Sequence, residues 1–367
     1  MKIGILSASD IAKRRFLPAL MKCDAFEPGG IGLADDEERR AATGAGGILT
    51  PGKRAKAMEL CDGYGVRLYE SYHELLTDED IEAVYISLPP ALHSYWCMEA
   101  LKAGKHVLVE KPAATKYEDC EKMLALAEEK GLAVAENYGF LYHRQMKMIK
   151  KLVRGGEIGQ VRLIRAAFGF PRRREDDFRY AKALGGGALL DCGGYTLRLA
   201  GELLGKDMEL KAALLMPLEG HDVDGHGYIT AVSGGGSGNS ADDGGLPVNV
   251  TGSGGDNGDM AVAAGAAAQL SFGMDNQYKC ELEIWGSAGT IFTDRIFTAP
   301  PELETKVMLT KGLSKKEISA GADDQFLKII EVFASCIEDQ AQRDGMREKI
   351  LWHNRNLGAA FALAAEK

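Results

Sequence analysis

The sequence predicts an α/β protein with a doubly wound parallel sheet at the N-terminus and an α+β domain with a large, mostly antiparallel sheet behind it. In the first part, short apolar strands alternate with helical patterns, which is typical of a parallel sheet. In the second part, longer strand patterns follow one another. The chain also has 367 residues, more than one compact domain usually holds. We therefore predict two domains, 1–137 and 138–367.

The N-terminal elements alternate regularly. Strands are predicted at 2–6, 29–35, 67–69, 81–90, 106–112 and 132–137. Helices are predicted from Asp10 to about Lys22 and at 55–65, 92–104 and 116–131, with a short one after residue 71. Asp10 is the expected N-cap of the first helix, because a carboxylate there accepts from free backbone N–H groups. Gly63 and Gly65 are expected to end the helix at 55–65.

The C-terminal part changes character after Asn137. A helix at 144–159 precedes a strand at 160–170, and further strands are predicted at 209–218, 227–233, 265–273, 278–285 and 290–298. Helices are expected around 186–205 and at 323–366. Two stretches rich in small and polar residues, 42–53 and 233–259, are interpreted as inserted loops because they have little apolar surface to bury.

Composition excludes several classes of function. The net charge of −9 argues against binding to nucleic acid, which requires a basic face. No membrane span or secretory leader is recognisable, so a cytoplasmic protein is expected. Seven cysteines form no C-x-x-C pair, which favours reduced thiols. The segment "HDVDGH" (221–226) resembles a metal site but is interpreted as a turn, and no metal is expected.

The stretch "GILSASDIA" (4–12) follows the first strand, where a dinucleotide-binding loop usually reads G-x-G-x-x-G. Ser7, Ser9 and Ala12 replace the three glycines. The start of a helix after a strand offers free N–H groups and a partial positive charge to a phosphate, and serine is a small polar substitute for glycine. By itself the stretch is equally compatible with a plain structural turn.

Two further stretches favour a ligand site. In "HVLVEKP" (106–112), Lys111 follows a predicted central strand, and ligands of open parallel sheets bind beyond the carboxyl ends of the strands. An exposed lysine without a role is the alternative. In "GGGALLDCGGY" (185–195), Asp191 and Tyr195 are four residues apart at the start of a helix and therefore on one face. A buried structural tyrosine is the alternative there.

Together these stretches resemble the Gfo/Idh/MocA family of oxidoreductases, with Rossmann-type N-terminal domains. The resemblance covers nearly the whole chain and rests on "GILSASDIA", "YISLPPALHSYWCMEALKAGKHVLVEKP", "GEIG" and "GGGALLDCGGY". Within the family the chain is most similar to nucleotide-sugar 3-ketoreductases, through "DIAKRRFLPAL", "ENYGFLYHRQ", "FRYAKALGGGALLDCGGY", "LSFGMDNQY" and "DRIFTAPP". Ser7 and the two inserted loops depart from that subgroup.

The resemblance implies hydride transfer between a nicotinamide and the carbonyl or hydroxyl carbon of a sugar, and the expected substrate is a nucleotide-linked keto-sugar. It implies Tyr195 as proton donor and Lys111 as the group that polarises the carbonyl. It implies Asp191 as a third catalytic residue that orients Tyr195 or binds a hydroxyl, with a structural role at the start of the helix as the alternative. An ammonium near a phenol lowers the phenol's pKa. Substrate contacts are implied for Lys111, Arg179, Asp191, Tyr195 and Tyr278. Cofactor contacts are implied for Ser7, Ser9, Asp10, Ile11, Asp35, Ser87, Leu88, Pro89, His93, Glu110, Lys111 and Asn137.

Cofactor preference and function leave alternatives open. Asp35 and Asp36 end the predicted second strand, and a carboxylate there binds the adenosine ribose and repels a 2′-phosphate. NAD(H) is therefore favoured over NADP(H), although Arg39, Arg40, Lys53 and Arg54 are near enough in sequence to bind a phosphate. The arginines of "PRRRE" (171–175) are interpreted as a solvated loop, with a substrate diphosphate as the alternative. A dehydrogenase of free sugars or trans-dihydrodiols, or a non-catalytic regulator that binds a dinucleotide, are alternative functions. A homo-oligomer, dimer or tetramer, is expected from the resemblance alone.

Overall fold

The computed structural model describes residues 1–35, 37–38, 53–234 and 262–366. The two predicted insertions at 42–53 and 233–259 lie almost entirely outside these residues, as do Asp36, Arg39 and Arg40. The chain divides into two compact units. The first contains Met1–Tyr138, Ala183–Gly185 and Phe326–Asn354, and the second contains Gly139–Lys182, Gly186–Gln325 and the C-terminal segment from Arg355.

The first unit is built on a six-stranded sheet in the order β3-β2-β1-β4-β5-β6, and every neighbouring pair is parallel. Its apolar runs are buried on both faces, as in β4, where all four side chains are buried. The predicted parallel sheet is confirmed. The strands are β1 (Lys2–Leu6), β2 (Glu27–Gly32), β3 (Arg67–Tyr69), β4 (Ala83–Ile86), β5 (His106–Val109) and β6 (Val134–Glu136).

The helices of this unit alternate with its strands. The first, α1, opens with a widened π-type turn at Ala12–Phe16 and continues as Leu17–Leu20. Pro18 explains the wide turn, because proline has no N–H to continue the ordinary hydrogen-bond ladder. The others are α2 (Lys53–Tyr64), α3 (Tyr72–Thr77), α4 (His93–Lys102) and α5 (Tyr117–Glu129). Near the C-terminus follow α8 (Gln325–Glu338) and α9 (Gln340–Ala365), and the last turns of α9 belong to the second unit.

The second unit contains an eight-stranded sheet in the order β14-β13-β12-β11-β7-β10-β9-β8. Among the described strands of this second sheet, only the pair β7 and β10 is parallel, so the predicted mostly antiparallel sheet is confirmed. Helix α6 (Arg144–Arg154) contacts β13 and β14, and α7, a π-type turn at Leu189–Gly193 that continues as Gly194–Leu204, contacts β7 and β10. The strands are β7 (Val161–Gly169), β8 (Glu209–Pro217), β9 (Asp224–Val232), β10 (Val262–Gly273), β11 (Lys279–Gly286), β12 (Thr290–Thr293), β13 (Thr305–Lys311) and β14 (Ser314–Gly321).

Several element predictions were wrong in detail. The side chain that accepts from the start of α1 is Ser9, whose Oγ accepts a hydrogen bond from the N–H of Ala12 at 3.1 Å, whereas the carboxylate of Asp10 pairs with Lys56. Gly63 lies inside α2, which ends before Gly65 in a left-handed conformation at φ +65°. The helical region expected at 323–366 consists of two helices, because the Asp339 carboxylate accepts from the N–H of Ala341 at 2.8 Å and starts the second one. Strands β13 and β14 were not predicted at all.

Among the described residues, no helix is long and apolar enough to cross a membrane.

Candidate functional site

The loop after β1 is built around Ser7, which adopts a left-handed backbone conformation at φ +82° and is buried. Ser7 is the only non-glycine residue with positive φ in the described chain. A side chain in this conformation carries strain of about 1 kcal/mol. The backbone therefore makes the sharp turn that the first glycine of a dinucleotide-binding loop normally allows, although serine occupies the position.

Ser9 ties this loop to the end of β4. Its Oγ donates to the Oγ of Ser87 at 2.8 Å, while accepting from the N–H of Ala12. Within the described residues, the N–H groups of Asp10 and Ile11 have no acceptor. Free N–H groups at a helix start bind phosphate oxygens. This geometry fits the pyrophosphate of a dinucleotide, with the exposed carboxylate of Asp10 turned to an ion pair with Lys56.

Asp35 lies just beyond β2, as predicted. Its Oδ1 accepts from the N–H groups of Glu37 at 2.9 Å and Glu38 at 2.8 Å. In the described part of the chain its second oxygen, Oδ2, has no hydrogen-bond partner. Glu38 was not predicted as a site residue, but its buried carboxylate accepts from the N–H groups of Asp35, Tyr72 and His73. The carboxylate of Asp35 is thus held just beyond β2, where a ribose contact was predicted.

His93 starts α4 and is completely buried. Its Nδ1 lies 2.7 Å from the carbonyl oxygen of Pro112, and its Nε2 lies 2.7 Å from that of Leu88. Burial lowers the pKa of His93 to about 4, although the two carbonyl oxygens favour the charged ring. The ring joins the segments that follow β4 and β5, including the half-buried Pro89 and Lys111 on either side. It therefore fixes the backbone around the predicted nicotinamide pocket.

Glu110 follows β5 and has two partners that a sequence pattern does not reveal. Its Oε1 accepts from the hydroxyl of Tyr85 at 2.5 Å and from the side-chain amide of Asn137 at 2.6 Å. Burial raises the pKa of Glu110, and these two hydrogen bonds act against that rise. Lys111 follows with a half-buried side chain and a cis peptide bond to Pro112. The network connects the ends of β4, β5 and β6.

Tyr195 lies in the second unit, in the first turn of the helix Gly194–Leu204. Its half-buried ring is surrounded by three phenylalanines, with centroid distances of 5.7 Å to Phe140, 5.1 Å to Phe168 and 5.7 Å to Phe297. Aromatic contacts of this kind hold a ring in one orientation. Asp191 lies in the π-type turn Leu189–Gly193, directly before the helix that carries Tyr195.

Asp191 and Arg179, both predicted to contact substrate, bind each other. The Nε of Arg179 donates to Oδ2 of Asp191 at 2.6 Å, and its Nη1 donates to Oδ1 of Asp177 at 3.0 Å. Burial acts to lower the pKa of Arg179, but the charges of Asp191 and Asp177 outweigh it and raise that pKa above its usual value. Asp177 was not predicted; its only sequence signal is its place two residues before Arg179, where it also accepts from the backbone N–H of Arg179.

The glycines before α7 bring its first turn against this ion cluster. A Cβ on Gly186 would lie 2.3 Å from the carbonyl oxygen of Arg179, and one on Gly187 would lie 2.3 Å from Oδ1 of Asp224. Asp224, which was also not predicted, accepts from the N–H of Leu189 at 2.7 Å through its other oxygen, Oδ2. Burial raises the pKa of Asp224. The glycines thus permit two close approaches that fix the start of the helix carrying Tyr195.

Tyr278 precedes β11 and is half-buried. Its hydroxyl lies 2.8 Å from Oγ1 of Thr298, and burial raises its pKa. The guanidinium of Arg295 lies over its ring, 4.8 Å from the centroid. In the predicted turn 221–226, Asp222 pairs with Lys182 and His221 faces Glu175. In the parts of the chain that the structure describes, no group of three or more His, Cys, Asp or Glu could hold a metal ion.

The structure therefore forms two clusters. In the first unit, the predicted cofactor residues Ser7, Ser9, Asp10, Ile11, Ser87, Leu88, Pro89, His93, Glu110, Lys111 and Asn137 follow four adjacent strands, and Asp35 follows the next one, β2. In the second unit, Arg179 and Asp191 form an ion pair. Tyr195 and Tyr278 lie on the side of the sheet whose side chains, such as Phe168, are buried.

Comparison with known proteins gives a consistent result. Residues 35–138 match a profile described as "Oxidoreductase family, NAD-binding Rossmann fold", and residues 146–241 match the C-terminal domain "GFO/IDH/MocA". A dTDP-3,4-didehydro-2,6-dideoxy-alpha-D-glucose 3-reductase from Streptomyces violaceoruber is 34% identical over 345 residues, which is 94% of this chain and 87% of the relative. A reductase of the same name from Actinomadura kijaniata is 33% identical over 337 residues, 92% of this chain and 87% of the relative.

Solved structures agree with these relatives. A 3-ketoreductase from Actinomadura kijaniata, in complex with NADP and TDP-benzene, is 30% identical with a TM-score of 0.81, and covers 99% of this chain and 97% of its own. Variants of that reductase with a tyrosine replaced by phenylalanine and with a lysine replaced by alanine have also been solved. An aldose-aldose oxidoreductase from Caulobacter crescentus, at 21% identity and a TM-score of 0.79, covers 100% of this chain and 98% of its own and shares the fold.

Proposed function

Since this chain belongs to the Gfo/Idh/MocA family of oxidoreductases, we propose that it reduces the ketone of a nucleotide-linked keto-sugar and oxidises a reduced nicotinamide cofactor. The relatives confirm the predicted family and the predicted class of enzyme, a sugar oxidoreductase dependent on NAD(P). The observation that carries the substrate proposal is the agreement with dTDP-keto-sugar 3-reductases along 94% of this chain.

Three residues have proposed catalytic or positioning roles. The hydride for the ketone carbon would come from a reduced nicotinamide cofactor when one is bound. Tyr195 donates a proton to the ketone oxygen, and its phenylalanine cage keeps the hydroxyl in one direction. Lys111 polarises the carbonyl and favours loss of the Tyr195 proton. Asp191 acts through its ion pair with Arg179, which it holds at the start of the same helix.

The loop after β1 is proposed to hold the cofactor's pyrophosphate through the N–H groups of Asp10 and Ile11. Asp35 is proposed to bind the adenosine ribose through Oδ2, because Oδ1 is already engaged by two N–H groups. We propose on this ground that the chain favours NAD(H), whereas the similar 3-ketoreductase was solved with NADP. Replacement of Asp35 by serine, which removes the carboxylate, is expected to shift the preference toward NADPH.

A homo-oligomer is proposed from the open face of the eight-stranded sheet. Leu214, Met216, Tyr228, Trp285 and Phe292 all point to this face and are between 38% and 53% exposed. These side chains form two groups, one on β8 and β9 and one on β11 and β12. Large exposed apolar side chains on one sheet face favour an interaction surface, and a self-complementary pair of such faces gives a two-fold dimer.

The proposed function is tested by turnover. Thymidine- and uridine-linked 3-keto-sugars are offered with NADH or NADPH, and oxidation of the cofactor is followed by its absorbance. D-Xylose with the oxidised cofactors serves as the free-sugar comparison. We expect turnover with a thymidine-linked keto-sugar. Turnover only with the free sugar, or binding of a cofactor without turnover of any sugar, would reject the proposal.

A further inference from the structure

Two arginines of the second unit differ from their neighbours because, among the described residues, they have no acidic partner. Arg172 pairs with Glu175 and Asp275, Arg174 with Asp176, and Arg179 with Asp177 and Asp191. Arg173 and Arg295 contact aromatic rings instead. Arg173 lies 4.9 Å from the centroid of Phe170, and Arg295 lies 4.8 Å from that of Tyr278.

The rings of Phe170 and Tyr278 lie at the same end of two adjacent strands, β7 and β11. Strands β7 and β11 are antiparallel, and Gly169 pairs with Lys279. The next residues beyond this pair are Phe170 and Tyr278, so the register places them opposite each other. Phe168 and Cys280, the buried pair one step inside, share their side of the sheet because side chains alternate along a strand. The guanidinium groups of Arg173 and Arg295 are therefore carried by neighbouring rings.

Both arginines also connect to Tyr195 through a short series of contacts. Phe168 contacts the ring of Tyr195 at 5.1 Å and that of Phe170 at 6.3 Å. On the other side, Phe297 contacts Tyr195 at 5.7 Å. Thr298, the next residue along the chain, lies 2.8 Å from the hydroxyl of Tyr278. The strand ends that carry the two arginines thus lie next to the phenylalanines that surround Tyr195.

An arginine whose guanidinium stacks on an aromatic ring can still bind an anion. Contact with an aromatic ring uses the flat face of the guanidinium, while its N–H groups stay at the edge, in a fork that matches two phosphate oxygens. The ring also restricts the side chain before a ligand binds, which reduces the entropy lost on binding. Two such forks suit a diphosphate better than a monophosphate or a neutral sugar, because each can bind one phosphoryl group.

We propose that Arg173 and Arg295 form the subsite for the diphosphate of a nucleoside-diphosphate sugar. The proposal rests on the proposed function, because it names the part of that substrate that these residues recognise. Arg172, Arg174 and Arg179 do not contribute, since their charges are already matched within the loop.

The test is calorimetric titration of the whole protein with thymidine diphosphate. Arg173→Gln and Arg295→Gln are each expected to weaken binding about tenfold or more, the usual effect of losing a charge-assisted hydrogen bond. Arg174→Gln is the matched control, because Arg174 lies next to Arg173 in sequence but is paired with Asp176. This control is expected to bind thymidine diphosphate as the unaltered protein does. Arg173→Lys and Arg295→Lys replace the glutamine variants if those do not fold, and are expected to weaken binding less.

Three results separate this proposal from the proposed function. If the arginine variants lose affinity for thymidine diphosphate but the unaltered protein turns over no keto-sugar, the subsite stands and the proposed function fails. If thymidine-linked keto-sugar is turned over but both glutamine variants bind thymidine diphosphate normally, the subsite is wrong and the function stands. If Arg174→Gln weakens binding as much as they do, general loop charge explains the effect and the assignment is overturned.

Discussion

At the scale of single residues, the loop after β1 shows how a serine can take the place of a glycine. Ser7 adopts the left-handed conformation that the turn requires, and its side chain is accommodated in the interior. Ser9 uses its hydroxyl twice, as the cap of α1 and as the donor to Ser87. The turn that a glycine-rich pattern normally produces is thus made with polar side chains, at the cost of backbone strain at Ser7.

Substitutions at Ser7 and Ser9 should have opposite effects on dinucleotide binding. Ser7→Gly relieves the strain, so we expect unchanged or tighter binding and a gain of about 1 kcal/mol in the free energy of unfolding. Ser9→Asp should weaken binding because it places a negative charge beside the phosphates. Ser9→Asn, which also caps a helix but is neutral, is the control. Titration with NADH and NADPH measures all three, and equal affinities for Ser9→Asp and Ser9→Asn would refute the pyrophosphate loop.

Tyr195→Phe tests the proposed proton donor. The phenylalanine keeps the contacts with Phe140, Phe168 and Phe297 and removes only the hydroxyl. We expect cofactor affinity to stay the same and kcat to fall by about a hundredfold or more, the scale of a lost general acid. Steady-state kinetics with the best keto-sugar, together with cofactor titration, measures both. An unchanged kcat would assign the proton to another group.

His93 should make stability depend on pH. Its pKa is lowered to about 4 in the folded protein, whereas an unfolded histidine titrates near pH 6.5. Between these values the unfolded chain binds a proton that the folded chain does not. The stabilisation is therefore complete above pH 6.5 and is lost as the pH falls toward 4, by about 3 kcal/mol at most.

Denaturant unfolding of the unaltered protein and of His93→Asn at several pH values measures this effect. Asparagine does not titrate and can still donate to one carbonyl oxygen. The difference between the two proteins removes the contribution of the other histidines. A difference that does not change between pH 4 and pH 7 would show that His93 titrates with the same pKa in the folded and unfolded chains.

At the scale of elements, the strands of the parallel sheet were predictable, whereas β13 and the solvated edge strand β14 were not. The apolar runs of β1, β4 and β5 identify the parallel sheet directly. Strand β14 carries the exposed Lys315, Lys316 and Glu317 and has no fully buried side chain, so no pattern of apolar residues marks it. Its backbone pairing with β13 defines it instead. Long-range pairing of that kind is not encoded in local composition.

The same reasoning applies to the candidate site. Residues that follow a strand, such as Lys111 and Asn137, could be predicted because the topology of a parallel sheet locates ligands at the strand ends. Asp177, Glu38 and Asp224 could not, because each acts as an acceptor for backbone or arginine groups that are brought to it only by folding. Their sequence context is that of ordinary surface acids.

The ion cluster that joins the turn Phe178–Tyr180 to α7 should be important for stability. Arg179→Met leaves Asp177 and Asp191 close together without a cation, and removes the contact with the Phe178 ring. We expect a loss of about 3 kcal/mol in the free energy of unfolding. Arg174→Met is the control in the same loop, where the arginine is 87% exposed and a loss below about 0.5 kcal/mol is expected. Equal losses for the two variants would show that the cluster does not stabilise the fold.

At the scale of the whole molecule, the two units divide the predicted tasks. The first carries the residues proposed for the cofactor, on four adjacent strand ends and β2. The second carries Tyr195, Arg179, Asp191 and Tyr278 on one side of its sheet and an apolar surface on the other. The alternation of buried and exposed side chains along β9 and β11 produces this two-sided sheet. The side opposite Tyr195 is therefore available for association.

Tyr228→Glu tests whether that surface joins two copies of the chain. Tyr228 is 53% exposed and lies opposite Leu214 in the sheet, so a charge there would be buried in a dimer interface without a partner. We expect the unaltered protein to sediment as a dimer or tetramer and Tyr228→Glu to weaken self-association at least tenfold, with an unchanged fold by circular dichroism. Leu313→Glu is the control, since Leu313 is fully exposed in the turn between β13 and β14, away from this face. A monomeric unaltered protein, or the same self-association in both variants, would place any interface elsewhere.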